Sequence, residues 1–273
     1  MGNIRVIGPR GSGKTTYLAA LAYQPAKAMW KSKKFNIQAI NEDTKKLADK
    51  AENIICEGAS LEPTGSHVRN IYELPVYSFN IEFTSGFTKE KINLVARDYP
   101  GEIFEDLETG SSNSLHEEFI EECLTKDVNG CLILLTEWKQ GTDKFYSRVL
   151  QRFIELIDIH DRSNDLRLAV AMSKCERGEL WPGRLDPEAD LFDIHLPKTK
   201  SILQDKIPAK NLRFHAISTF GVLGRNDPRP NRIVEWGTDG RNSVLREANR
   251  WQPYGIISPL YWLSTGKRMR DDT

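Results

Sequence analysis

The chain has 273 residues, 39% of them hydrophobic and 28% charged, with 38 Lys and Arg against 38 Asp and Glu. That length holds one large α/β domain, and that composition excludes disordered and fibrous classes. A net charge of zero leaves no footprint for bulk binding to nucleic acid or to an anionic membrane.

Strands and helices are predicted to alternate. Asn3 to Ile7 reads as a short apolar strand ending at Gly8, and Lys14 to Tyr23 as the helix that follows. Phe35 to Ile40 predicts a short extra strand. Asn41 then caps a helix with apolar positions at Leu47, Ala51, Ile54 and Ile55, which Gly58 ends. Val76 to Phe83 alternates, turns at Thr84-Ser85-Gly86 and returns as Lys91 to Ala96, a hairpin. Cys131 to Leu135, Leu168 to Met172 and Arg213 to Ile217 read as buried parallel strands. Helices over Leu115 to Leu124, Lys144 to Ile159 and Leu191 to Leu203 separate them. The stretch 221–252, rich in Gly, Pro, Arg and Asn, reads as a long loop or insertion. An apolar helix over 256–265 closes the chain. The pattern predicts a single domain over 1–273, a three-layer α/β sandwich with a mainly parallel sheet and one antiparallel hairpin strand.

Four cysteines (Cys56, Cys123, Cys131, Cys175) stand far apart with no C-x-x-C pair, and they read as reduced thiols. The five histidines lack a catalytic partner at useful spacing. No apolar run approaches the roughly 20 residues of a membrane span, and Met1 leads straight into a strand, so a cytoplasmic protein is expected. Trp236, Trp251, Tyr261 and Trp262 are expected to pack against the sheet.

Gly8-Pro9-Arg10-Gly11-Ser12-Gly13-Lys14-Thr15 is a full match to G-x-x-x-x-G-K-[ST]. Glycines let successive backbone N–H groups turn inward around phosphates, and the helix opening at Gly13 aims its positive end at them. Gly8, Arg10, Gly11, Ser12, Gly13, Lys14, Thr15 and Thr16 are therefore expected to hold a nucleoside triphosphate. Lys14 reaches the β- and γ-phosphates, and the Thr15 hydroxyl ligates Mg²⁺. Arg10 replaces the small residue common at its place and either meets the γ-phosphate or points to solvent. Such a loop needs a carboxylate behind the metal. Asp98 supplies it in Arg97-Asp98-Tyr99-Pro100-Gly101-Glu102, at the end of a predicted strand, with the Gly101 N–H available to a γ-phosphate. The same residues also fit an ordinary Asp-x-Pro-Gly turn.

A hairpin feeding Asp98-x-x-Gly101 resembles the translation-factor-related (TRAFAC) class of P-loop GTPases. Leu61-Glu62-Pro63-Thr64, Asp98-Tyr99-Pro100-Gly101-Glu102 and Pro259-Leu260-Tyr261-Trp262-Leu263 resemble, more narrowly, the bacterial double-GTPase group found beside conflict and defence genes. The resemblance implies that Thr64 is a switch threonine adding a hydroxyl to Mg²⁺; a loop threonine is the alternative. It also implies guanine reading by Ser173-Lys174-Cys175-Glu176, where the family pattern is [NT]-K-x-D, and by the backbone near Ser218 and Thr219. Lys174 fits that pattern, whereas Ser173 and Glu176 depart from it, and a helix-capping box is the alternative. On the edge that the carboxylate reads adenine presents no donor, so GTP is favoured over ATP. Glu102 stands where many relatives place a water-orienting Gln, which implies slow hydrolysis; an arginine from 225–241 or from a partner is a candidate to complete the site, with solvated loop arginines the alternative. The expected output is a switch read by a protein partner over 60–115; a P-loop kinase and a non-hydrolysing GTP-binding scaffold are the competing functions.

Overall fold

The computed structural model describes residues 3–23, 35–57, 70–85, 88–109, 114–136, 141–234 and 243–269. In chain order, β1 (Asn3–Ile7) leads through the glycine-rich loop into α1 (Lys14–Ala22), followed by β2 (Phe35–Ala39) and α2 (Glu42–Cys56). The hairpin strands β3 (Val76–Ser85) and β4 (Thr88–Arg97) come next, then the short α3 (Gly101–Glu105), α4 (Ser114–Leu124) and β5 (Val128–Leu135). α5 (Thr142–Ile159), β6 (Arg167–Met172), the single turn α6 (Asp193–His195), α7 (Pro197–Lys206) and β7 (Leu212–Ala216) complete the alternating part. Four short strands, β8 (Val222–Gly224), β9 (Asp227–Pro230), β10 (Arg232–Val234) and β11 (Ser243–Leu245), precede the last helix, α8 (Ser258–Thr265).

β1, β5, β6 and β7 form a parallel sheet in that order. Successive strand side chains point to opposite faces, so a sheet covered on both sides needs apolar residues at every position. Leu132, Leu134, Ala169 and Ala171 join one apolar cluster with α1, α2 and α8 residues such as Leu18, Ile55 and Leu260. Their neighbours Ile133, Leu135, Val170 and Met172 join the opposite cluster with Phe119, Phe153 and Leu203. The result is the three-layer α/β fold of P-loop NTPases. Trp251 and Trp262 lie in the first cluster, as expected of them, while Trp236 lies outside the described residues. All four cysteines are free thiols. Among the described residues no helix is long and apolar enough to cross a membrane.

Two expectations are corrected. The helix expected over 191–203 is broken, because a proline inside a helix removes a donor and clashes with the preceding turn. Pro197 instead opens α7 in its first turn, after a separate turn over Pro187–Phe192. The loop expected over 221–252 holds two small antiparallel ladders, β8 with β9 and β10 with β11. Strands of three or four residues are too short to show an apolar period, and Pro228 and Pro230 sit on a two-stranded ladder where a missing donor is tolerated. The expected antiparallel hairpin is present. β2, β3 and β4 make their own antiparallel sheet, with β4 packed alongside β1. The closing helix starts at Ser258, with Pro259 in its first turn. Gly58 and Gly86, expected at a helix end and a turn, lie outside the described residues.

One polar cluster holds the end of β4 in place. Glu122 of α4 accepts from Arg97 Nε at 2.9 Å and from the Tyr99 hydroxyl at 2.5 Å. Arg97 Nη1 also donates to the carbonyls of Ile71 and Leu74, and Arg5 of β1 lies 3.8 Å from the same carboxylate. Both residues flanking Asp98 are thus tied to one helix. Removing the carboxylate strands two largely buried guanidinium groups. Glu122→Ala is expected to lower stability by about 2–4 kcal/mol, read from urea unfolding, with Glu122→Gln losing less.

Candidate functional site

The glycine-rich loop joins the C-terminal end of β1 to α1, the end of a parallel sheet where ligands bind. Gly13 takes φ +88°, a left-handed conformation at the helix N-terminus that a side chain resists. Lys14, 7% exposed, curls back so that its Nζ donates to the carbonyls of Gly8 at 2.8 Å and Pro9 at 3.1 Å. Burial pulls its ammonium down from the usual lysine range to about 8, against the opposing pull of Asp98, Glu105 and Glu102. Ser12 is fully buried, and its hydroxyl oxygen has no hydrogen-bond partner among the described residues.

The Thr15 hydroxyl lies 3.0 Å from Asp98 Oδ2 and 3.2 Å from Oδ1. Asp98 is 3% exposed, and its N–H donates to the Pro75 carbonyl. A hydroxyl beside a carboxylate is an oxygen donor set that fits Mg²⁺, which takes one or two carboxylates and completes its shell with water and phosphate oxygens. Among the described residues no group of three His, Cys, Asp or Glu is placed to hold a metal. Gly101 explains why the end of β4 reaches the loop: a Cβ there would lie 2.2 Å from Arg10 N. Only glycine permits that approach.

Arg10 points outward and pairs with Glu102 at 2.6 Å, both side chains about half exposed, so the pair adds little stability. The Arg10 backbone N–H donates to Glu105 Oε1 at 2.7 Å. Thr16 follows Thr15 in the first turn of α1. Thr64 lies outside the described residues, as do 110–113 of the expected switch surface.

The residues expected to read the base cluster at the ends of β6 and β7. The Ser173 hydroxyl lies 2.9 Å from the Ser12 carbonyl and 3.1 Å from that of Leu135, which joins this loop directly to the phosphate loop. Lys174 takes φ +59°, uncommon for a residue with a side chain, and the Cys175 N–H donates to the Ile217 carbonyl. Glu176 is 0% exposed; it accepts from the Ser218 hydroxyl at 2.8 Å and faces Arg232 Nη1 at 3.3 Å. The Thr219 carbonyl accepts from Trp251 Nε1.

The structure therefore gathers the residues from Gly8 to Thr16 with Asp98, Gly101 and Glu102, and links them through Ser12 and Ser173 to Lys174, Glu176, Ser218 and Thr219. Two residues were missed. Glu105 follows Gly101 by one helical turn, a spacing that marks a shared face, but nothing in the sequence singles it out. Arg232 belongs to the arginine-bearing stretch expected to complete the phosphate site, yet it meets Glu176.

A triphosphate favours the charged form of Lys14. With a free value near 8 and a higher bound value, binding takes up a proton above pH 8 and none well below it. Affinity measured by calorimetry is expected to be flat from about pH 6.5 to 7.5 and to fall, approaching tenfold per unit, above pH 8.

The model of the Double-GTPase 1 family matches residues 5–171, more than half of the chain. A comparison with curated proteins finds no match. Among solved structures, Sup35 complexed with GDP is 11% identical with a TM-score of 0.31, over 80% of this chain and 37% of that one. This chain thus spans well under half of that protein. The signal recognition particle receptor SRb-GTP/SRX complex from Chaetomium thermophilum is 12% identical with a TM-score of 0.34, over 80% of this chain and 94% of that one. Likeness at these scores carries no argument. The family match covers the phosphate loop, Asp98 and the sheet up to β6, and on it the chain belongs to the Double-GTPase 1 family, a P-loop GTPase whose ligand is a guanine nucleotide.

Proposed function

We propose that the chain binds GTP with Mg²⁺, hydrolyses it slowly and switches a protein partner through the loops around Thr64 and Asp98–Gly101. The observation that carries this reading is the Thr15 hydroxyl lying against both carboxylate oxygens of Asp98. The phosphate loop and the second strand of the hairpin thereby present one oxygen-donor set beside Lys14. Bound there, Mg²⁺ would neutralise charge on the β- and γ-phosphates. Thr15 and Asp98 would hold it, and Thr64, by resemblance, would add a second hydroxyl. Lys14 would trade its Gly8 and Pro9 carbonyl contacts for phosphate oxygens, a stronger charge-assisted bond.

Hydrolysis transfers the γ-phosphoryl group to water as its bond to the β-phosphate oxygen breaks, and positioning dominates the rate. Glu102 is the residue beside Gly101 suited to orient that water. Its ion pair with Arg10 turns its carboxylate outward, which supports turnover on the order of 10⁻³ s⁻¹ or slower. The same pair favours a second reading, a scaffold that holds GTP without turning it over. Phosphate loss would release Gly101 from its contacts and relax the loops read by the partner. We place this switch in the cytoplasm and, by its resemblance to the double-GTPase group, in bacterial conflict and defence. On the base side, Glu176 would accept from guanine N1–H and the 2-amino group while the Lys174 stem packs on the ring.

Lys14→Ala is expected to weaken GTP binding by about 100-fold, and Glu176→Ala to collapse the preference for GTP over ATP by a similar factor. Calorimetry checks both, and a phosphate-release assay separates the two readings, since the scaffold releases none. A wild type that binds ATP as tightly as GTP contradicts the base assignment, and one that binds neither contradicts the whole reading.

A further inference from the structure

Glu176 is held from two sides. The Ser218 hydroxyl, itself bonded to the Gly221 N–H at 2.8 Å, donates to Oε2, and Arg232 Nη1 lies 3.3 Å from Oε1. Neither partner is loose. The Arg232 side chain is 5% exposed and its Nε donates to the Ser243 hydroxyl at 2.8 Å, across the β10–β11 ladder. Asn231 clamps the base of that ladder by accepting from the Glu247 N–H at 2.8 Å and donating to the Glu247 carbonyl at 3.0 Å. β11 in turn packs against α2. A guanidinium is thus carried on a braced hairpin to the carboxylate that the reading above assigns to guanine.

The chemistry of the two occupants is the same. A guanidinium presents adjacent N–H donors on one planar N–C–N unit. The edge of guanine that a carboxylate reads, N1–H with the 2-amino group, is also two N–H donors on one planar N–C–N unit, and adenine has no such edge. A fully buried carboxylate demands a donor partner at all times, because an uncompensated buried charge is costly. One donor set can leave only as another arrives.

We propose that Arg232 is an internal stand-in for guanine, which a guanine nucleotide must displace from Glu176, so that base recognition moves the β10–β11 hairpin. Arg232 then sets both affinity and selectivity. It lowers the affinity for every guanine nucleotide, and adenine nucleotides, unable to replace it, leave the hairpin in place. The exposed Ile233 and Val234 ride on the same strand, so base occupancy is written onto the surface at a distance from the phosphate loops. This inference rests on Glu176 reading guanine.

The test uses the full chain, wild type and Arg232→Met, titrated with GDP and with ADP, together with hydrogen exchange of the wild type in each nucleotide. Arg232→Met is expected to tighten GDP binding by about tenfold or more, the worth of a hydrogen bond to a charged group, and to leave ADP unchanged. GDP, and not ADP, is expected to speed exchange at the amides of β10 and β11. A correctly folded Arg232→Met that binds GDP equally or more weakly, or a wild type whose β10–β11 amides slow in GDP, overturns the proposal and makes Arg232 a brace for the base loop. If the variant fails to fold, the wild-type exchange result decides. Equal binding of GDP and ADP by both chains is a different failure: it removes Glu176 as the base reader, whatever Arg232 does.

Discussion

The Thr15 hydroxyl and the Asp98 carboxylate meet at 3.0 and 3.2 Å across two sheets of opposite character. Thr15 comes from the first turn of α1, just after β1 of the parallel sheet, and Asp98 from the end of the antiparallel hairpin. Much of the surrounding structure keeps that contact in register. Gly101 lets the chain after Asp98 pass against the Arg10 backbone, where no side chain would fit. Arg97 and Tyr99 are anchored to Glu122, and the Asp98 N–H is taken up by Pro75. On the proposed reading, a carboxylate buried this deeply beside a lysine and a hydroxyl would supply oxygen donors to a cation.

Charge around the phosphate loop is balanced closely. Lys14 loses much of its preference for the proton through burial, and three carboxylates restore part of it. Two of those carboxylates are otherwise engaged, Glu102 with the Arg10 guanidinium and Glu105 with the Arg10 amide. An acidic side chain bonded to a loop amide makes the contact that a phosphate oxygen makes in such loops. The base side shows the mirror image, a basic side chain bonded to the carboxylate. If the proposed assignment of Glu176 to the base holds, both ends of the site hold internal groups whose chemistry matches the two ends of a nucleotide.

The strands and the phosphate loop were legible because each rests on a local rule. Four buried strands read as short apolar runs, and the glycine-lysine-threonine loop has fixed spacing between a strand and a helix. Asp98 was legible for the same reason, as an acidic residue at a strand end ahead of Gly101. The region after β6 was less so. Pro197 starts α7 instead of interrupting it, a distinction that depends on where the preceding turn closes. The strands from Val222 to Leu245 are too short to show a period, and their order depends on tertiary clamps such as Asn231 with Glu247. Glu176 was found by its position in a motif, whereas its partner Arg232 lies 56 residues on and carries no motif. The family match ends at residue 171, just short of this loop.

The central claim is that Thr15 and Asp98 form the metal-bearing half of the nucleotide site. The most direct measurement is GTP affinity of the wild type and of Asp98→Asn in excess Mg²⁺ and in chelator. The account predicts that Mg²⁺ strengthens wild-type binding by about 100-fold or more and that Asp98→Asn loses most of that gain. Wild-type affinity that is the same with and without Mg²⁺ would contradict it.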